Sequence, residues 1–131
     1  MIIDFEGEPA RSISERRIKR AVFRDLAGMM RSFHYAAFNV LIQDRSIRSE
    51  DAEKLEPWAE LWSFYTGQHF YDVYAAAVAG NGLIPKDITE QHLLLRSYLM
   101  DKAIYELNYE LNNRPQWVGI ALKGLQRLLE S

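Results

Sequence analysis

Val22-Phe23-Arg24-Asp25-Leu26-Ala27-Gly28-Met29-Met30-Arg31-Ser32-Phe33-His34-Tyr35-Ala36-Ala37-Phe38-Asn39-Val40-Leu41-Ile42-Gln43 is the stretch that decides the fold class. Val22, Leu26, Met29, Phe33, Ala37, Val40 and Leu41 recur at three- and four-residue steps, which predicts an amphipathic helix over residues 22–43. Asp25 falls in its first turn, where a carboxylate favours the helix dipole. Gly28 inside the helix costs about 1 kcal/mol relative to Ala, which suggests close packing against a neighbour. His34 and Tyr35 lie off the stripe, and His34 has no second His four residues on with which to hold a metal.

Downstream the same logic gives three more helices. Residues 44–56 are Asp, Arg, Ser, Glu and Lys with little apolar content and read as a surface loop, with room for a helical turn. Pro57 suits a first helical position, so a second helix is predicted over residues 57–79. Trp58, Leu61, Trp62, Tyr65, Phe70, Val73, Tyr74 and Ala77 lie nearly all round it. A helix that is apolar on most sides is buried on most sides, so it is expected in the middle of a bundle. Gly80-Asn81-Gly82 supplies the left-handed stop. Asp87-Ile88-Thr89-Glu90 has the spacing of a capping box and opens a third helix running to about Asn112. Its apolar stripe is Leu93, Met100, Ile104, Leu107 and Leu111. Asn112-Asn113-Arg114-Pro115 stops it, and Pro115 can start a last helix with Val118, Ala121, Leu122, Leu125, Leu128 and Leu129 inward. Gly119 and Gly124 suggest close approach there.

Upstream, Ile2, Ile3 and Phe5 favour a short strand over residues 1–6, and Gly7 and Pro9 end it. No later stretch offers a partner strand. The expected fold is therefore all-α: about four main helices in a bundle with a short N-terminal strand, forming a single helical domain over residues 1–131. Residues 7–21 are a polar connector. From Arg11 to Arg24, both included, there are six basic residues and one acid, read as a solvated basic loop or a local anion site.

Composition narrows the function classes. The chain has 131 residues, enough for one modest core. A net charge of −2 gives no global field that would gather nucleic acid or an anionic membrane. The chain has no cysteine, which excludes disulfides and thiolate metal sites and fits a reducing, cytoplasmic compartment. No apolar run is long enough to span a membrane, and no signal-peptide pattern follows Met1. The phosphate-loop, dinucleotide, nucleophile-elbow and zinc-protease motifs are all absent.

Two stretches could carry chemistry. Asp4 and Glu6 alternate with apolar residues, so on a strand they share one face at its end. Such a pair suits a hard cation such as Mg2+, with phosphate oxygens completing the shell, or else is a solvated strand end. Residues 105–117 bring Tyr105, Glu106, Tyr109, Asn112, Arg114 and Trp117 within thirteen positions. Planar donors and acceptors beside aromatic faces suit a neutral polyol such as a sugar, and they equally suit a polar helix face with its caps.

Three blocks carry a resemblance. Ile3-Asp4-Phe5-Glu6-Gly7-Glu8-Pro9-Ala10-Arg11 followed by Glu15-Arg16-Arg17, then Arg24-Asp25-Leu26-Ala27-Gly28-Met29-Met30-Arg31-Ser32-Phe33-His34-Tyr35-Ala36-Ala37, then Lys102-Ala103-Ile104-Tyr105-Glu106-Leu107 with Glu110-Leu111-Asn112-Asn113-Arg114-Pro115 and Trp117-Val118-Gly119-Ile120 resemble the C-terminal lobe of bacterial maltokinases. That family also occurs fused behind trehalose synthase and is similar to the aminoglycoside-phosphotransferase and protein-kinase-like folds. The resemblance is weak over residues 40–90. It implies transfer of phosphate from ATP, with Mg2+, to the anomeric hydroxyl of maltose, giving maltose 1-phosphate for glucan synthesis. It implies that Asp4 holds Mg2+ in the D-F-G position, with Glu6 in place of Gly. Tyr105, Glu106, Tyr109, Asn112, Arg114 and Trp117 then become the maltose wall, and Arg24 and Asp25 take a structural role. The phosphate-binding Lys of the nucleotide lobe and the H-G-D catalytic loop have no counterpart in this sequence, so the resemblance implies a chain that is inert alone, with no catalytic residue of its own. The implied partners are maltose, the remainder of the kinase and a trehalose synthase domain. The competing expectation is a non-catalytic helical module that assembles on such a synthase or on a second copy as a homo-oligomer.

Overall fold

The computed structural model of the chain describes residues 12–17, 21–44 and 46–130, and among them only helices and their connections occur. The order is α1 (Ile13–Arg17), α2 (Phe23–Gln43), α3 (Ser49–Val78), α4 (Ile88–Asn113), a 3-10 turn (Pro115–Trp117) and α5 (Val118–Glu130). The expected all-α class holds, with five helices among the described residues where about four were expected. The expected strand over residues 1–6, with Asp4 and Glu6, lies outside the described residues.

Local chemistry explains most ends. Asp87 caps α4, its Oδ1 accepting from the Thr89 backbone N–H at 2.8 Å. Gly80 and Gly82 take φ of +82° and +78°, the left-handed turn that closes the end of α3. The α3 start corrects the sequence reading: the helix begins at Ser49, inside the expected loop, and Pro57 sits within it. Glu50 and Asp51 occupy the first turn, where the dipole favours them, and Arg48 and Lys54 pair with Asp51 at 2.8 and 3.4 Å. Charge patterning thus extends the helix upstream of a proline that removes only one interior N–H.

Contacts set the order of packing. Leu26 and Phe23 near the start of α2 pack with Tyr71 of α3 and Leu95 of α4. Toward its other end α2 meets α4 again through Arg31 and Glu106, and Lys123 of α5 over Phe38. Consequently α2 and α4 run parallel, while α3 and α5 run the other way. The central helix is α2, which packs against α3, α4 and α5. The expectation that the helix over 57–79 lies in the middle is overturned: Trp58 is 68% exposed, Trp62 51% and Tyr65 66%.

Being central, α2 buries two faces. Met30 meets Gly67 of α3, and Phe33 packs edge-on against Trp62 and Phe70. On its other side Phe23, Ala27, Arg31, His34 and Phe38 are buried. Of the expected stripe, Met29 and Val40 face solvent, while His34, expected off the stripe, is buried. The reversal is stronger in α4. Leu93, Ile104 and Leu111 are exposed, and Gln91, Ala103 and Glu110 are buried. The polar members are satisfied: Gln91 accepts from the Tyr71 hydroxyl at 2.6 Å and donates to the Pro85 carbonyl at 2.7 Å, and Glu110 pairs with Arg114. Close packing at glycine is found at Gly67 and Gly124, whereas the spaces beside Gly28 and Gly119 are open.

Candidate functional site

Parallel packing of α2 and α4 leaves a cleft of about 520 Å³ near their C-terminal ends, closed on one side by the 3-10 turn. That volume is in the range of small-molecule pockets. From α4 it takes Lys102, Tyr105, Glu106, Tyr109 and Glu110, and beyond α4 come Arg114 and Trp117. These positions recur at three- and four-residue steps, so one face of α4 presents them together. From α2 it takes Ser32, Tyr35, Ala36 and Asn39.

Aromatic surfaces dominate the walls. The Tyr105 and Tyr109 rings lie 6.3 Å apart and nearly parallel, at 19°. Tyr35 stacks on Trp117 at 5.9 Å and 28°. The Arg114 guanidinium lies 4.4 Å from the Trp117 ring centre and 5.3 Å from that of Tyr109, so one cation joins the two aromatic sets. Its charge is matched by Glu110, through Nε to Oε2 at 2.9 Å and Nη2 to Oε1 at 2.6 Å. Lys102 lies over the Tyr105 ring at 5.0 Å.

Charge in the cleft is held from beneath. Glu106 accepts from Arg31 Nε at 2.7 Å, with both side chains largely buried. Burial pushes the Glu106 carboxyl above the usual range, and Arg31 opposes that shift. Burial, then the Glu106 and Glu110 carboxylates, raise the Tyr35 phenol, which therefore stays a neutral donor and acceptor. The Tyr35 hydroxyl is buried beside the Glu110 carboxylate, and the Asn39 Oδ1 is buried and makes no hydrogen bond. The cleft thus combines flat apolar faces, a carboxylate, a cation, a phenol and an amide oxygen without a hydrogen bond.

Five of the six residues singled out in the 105–117 stretch meet in this cleft: Tyr105, Glu106, Tyr109, Arg114 and Trp117. Asn112 does not; it is exposed and its Nδ2 returns to the Asn108 carbonyl at 2.7 Å. Tyr35, Asn39, Lys102 and Glu110 were missed. Tyr35 and Asn39 stand four apart on α2, off its apolar stripe, a spacing that marks a second polar face. Arg24 and Asp25 lie at the other end of α2, in its first turn. Asp4 and Glu6 lie outside the described residues. Among the described residues no group of three His, Asp or Glu side chains is placed to hold a metal, and no helix is long and apolar enough to cross a membrane. No family model matches the chain.

Proposed function

We propose that the cleft between α2 and α4 binds a saccharide, and that the chain is the C-terminal lobe of a maltokinase-like sugar phosphotransferase that makes maltose 1-phosphate. The observation that carries the reading is the convergence of Tyr35, Tyr105, Tyr109 and Trp117 with Glu106 and Asn39 in one cleft. A sugar ring has an apolar C–H face and a rim of hydroxyls. The rings suit the face; the carboxylate, amide and phenol suit the rim. Arg114 has two of its five donors committed to Glu110 and keeps the others for hydroxyl oxygens. The resemblance of the 24–37 and 102–120 segments to maltokinases supplies the choice of maltose.

ATP and Mg2+ are part of this reading only through that resemblance. The described residues do not form a metal site, and Asp4 and Glu6 lie outside them. The part assigned to this chain is to bind and orient the sugar, with phosphoryl transfer requiring groups beyond it. Titration calorimetry of maltose into the chain tests the reading, with Tyr105→Ala and Trp117→Ala as variants. Saturable binding that both variants weaken supports it; absence of binding by the unaltered chain contradicts it. Arg114→Ala is a poor control, because it strands the Glu110 carboxylate, which is 1% exposed.

One observation favours a second reading, a helical assembly module attached to trehalose synthase or to a second copy. An apolar groove of about 500 Å³ lies between α2 and α3, lined by Val40, Leu41, Ile47, Leu55, Trp58 and Trp62. Sedimentation velocity of the chain across a concentration series tests self-association. A mixture with the synthase tests the other partner.

A further inference from the structure

The stripe that marks α4 as amphipathic in the sequence faces outward in the structure. Leu93, Ser97, Met100, Ile104, Leu107 and Leu111 stand alternately four and three residues apart, the spacing of a helix face that packs on another helix. Leu93, Ile104 and Leu111 are each more than half exposed. The contact with α2 is made from the opposite side of α4, through residues such as Glu106, and that side also lines the sugar cleft. The outward stripe of α4 is therefore an apolar surface that the rest of the chain does not use.

The same surface continues onto α5. That helix runs antiparallel beside α4, and Arg96 Nη2 donates to the Leu128 carbonyl at 3.2 Å. Ile120, Ala121 and Gly124 are buried, so helical spacing turns Leu122 and Leu129 outward, where both are exposed. Leu93 is one turn before Arg96 and Leu129 follows Leu128, which brings the two stripes side by side. Half-buried Met100, Leu107 and Leu125 lie toward the line where the helices meet. None of these outward positions is Asp, Glu, Lys or Arg, in a chain of which 26% is charged. A helix face that meets only water normally carries its charges there.

We propose that the outer face of α4 and α5 is the interface of a homodimer, each α4 lying across the α5 of a second copy. Contact about a two-fold axis sets a surface against a copy of itself, where a charged face repels. An uncharged apolar face meets that condition. Two antiparallel hairpins face to face give four helices, each antiparallel to its neighbours, which is the up-down bundle arrangement. The outward side chains offer on the order of 500 Å² of apolar surface per copy, and a stable interface buries about 800 Å² per partner, a little over half of it apolar. The sugar cleft opens on the other side of α4, so the dimer leaves it accessible, and the interface stands whatever the cleft binds. It is also separate from the α2–α3 groove.

The test is sedimentation velocity of the chain from about 1 to about 100 μM, a range that brackets a micromolar dimer. The expected result is reversible growth from monomer to dimer and no further. Ile104→Lys and Leu129→Lys, both at exposed positions, set like charges against the partner face and should weaken the dimer at least about tenfold. Circular dichroism of each variant should show the helical content of the unaltered chain, which separates loss of the dimer from loss of the fold. Trp58→Lys, in the α2–α3 groove, should leave the dimer intact. A monomer across the whole range, a dimer indifferent to both Ile104→Lys and Leu129→Lys, or a dimer abolished by Trp58→Lys overturns the proposal. Maltose titration of Ile104→Lys reads the cleft separately, so failure of the interface and failure of the sugar reading are told apart.

Discussion

Arg31 connects two cavities. Its Nε donates to Glu106 in the α2–α4 cleft, its Cζ lies 5.6 Å from the Tyr35 ring centre, and its side chain also lines a smaller cavity between α2, α3 and α5. Helical periodicity cannot find such a residue, because an arginine on a helix is by default solvated. The one trace it leaves is a glycine elsewhere, Gly124, whose close approach was legible although its neighbour was not. Gly124→Ala should cost about 1–3 kcal/mol, since the methyl and the guanidinium compete for one space; urea unfolding measures it, and an unaltered midpoint would contradict the packing. His34 gives a pH signature. Its folded pKa is about 3 against an ordinary 6.5, so below pH 6.5 the unfolded chain takes up a proton that the folded chain refuses. Stability contributed by neutral His34 is fully present above pH 6.5 and is lost as pH falls toward 3. Between pH 7.5 and 5 the loss is about 2 kcal/mol, visible as the difference between the unaltered chain and His34→Gln, with Glu106 common to both.

At the scale of the element, existence and type were legible and facing was not. The four main helices stand where their periodicity puts them, apart from the earlier start of α3. The inward faces of α3 and α4 were misread for one reason. Each carries apolar residues on sides that the packing leaves open, and α4 turns a polar but paired face inward. A count of apolar residues does not register that Gln91 is satisfied by Tyr71 and Pro85, or Glu110 by Arg114. Two substitutions separate the faces of α3. Trp58→Lys, at a position 68% exposed, should change stability by no more than about 0.5 kcal/mol. Tyr71→Phe removes the donor to buried Gln91 and should cost about 1–2 kcal/mol. Thermal unfolding of both decides it; a large loss with Trp58→Lys would put that face inside.

Across the whole molecule, one arrangement produces both cavities: a central α2 with α4 parallel to it and α3 and α5 antiparallel. The α4 side of the cleft was legible because five of its residues come from one short segment, whose helical spacing keeps them on one side. The α2 half was not legible, because which helix faces that segment depends on packing order, and sequence periodicity does not contain packing order. Nuclear magnetic resonance with maltose tests the central claim most directly, since the three tryptophan indole N–H signals stand in different places. Trp117 lines the cleft, while Trp58 and Trp62 line the α2–α3 groove. The account predicts that added maltose shifts the Trp117 indole signal and the backbone amides of residues 102–117 in a saturable way, leaving the Trp58 and Trp62 indoles in place. No shift at saturating maltose, or shifts centred on Trp58 and Trp62, would contradict it.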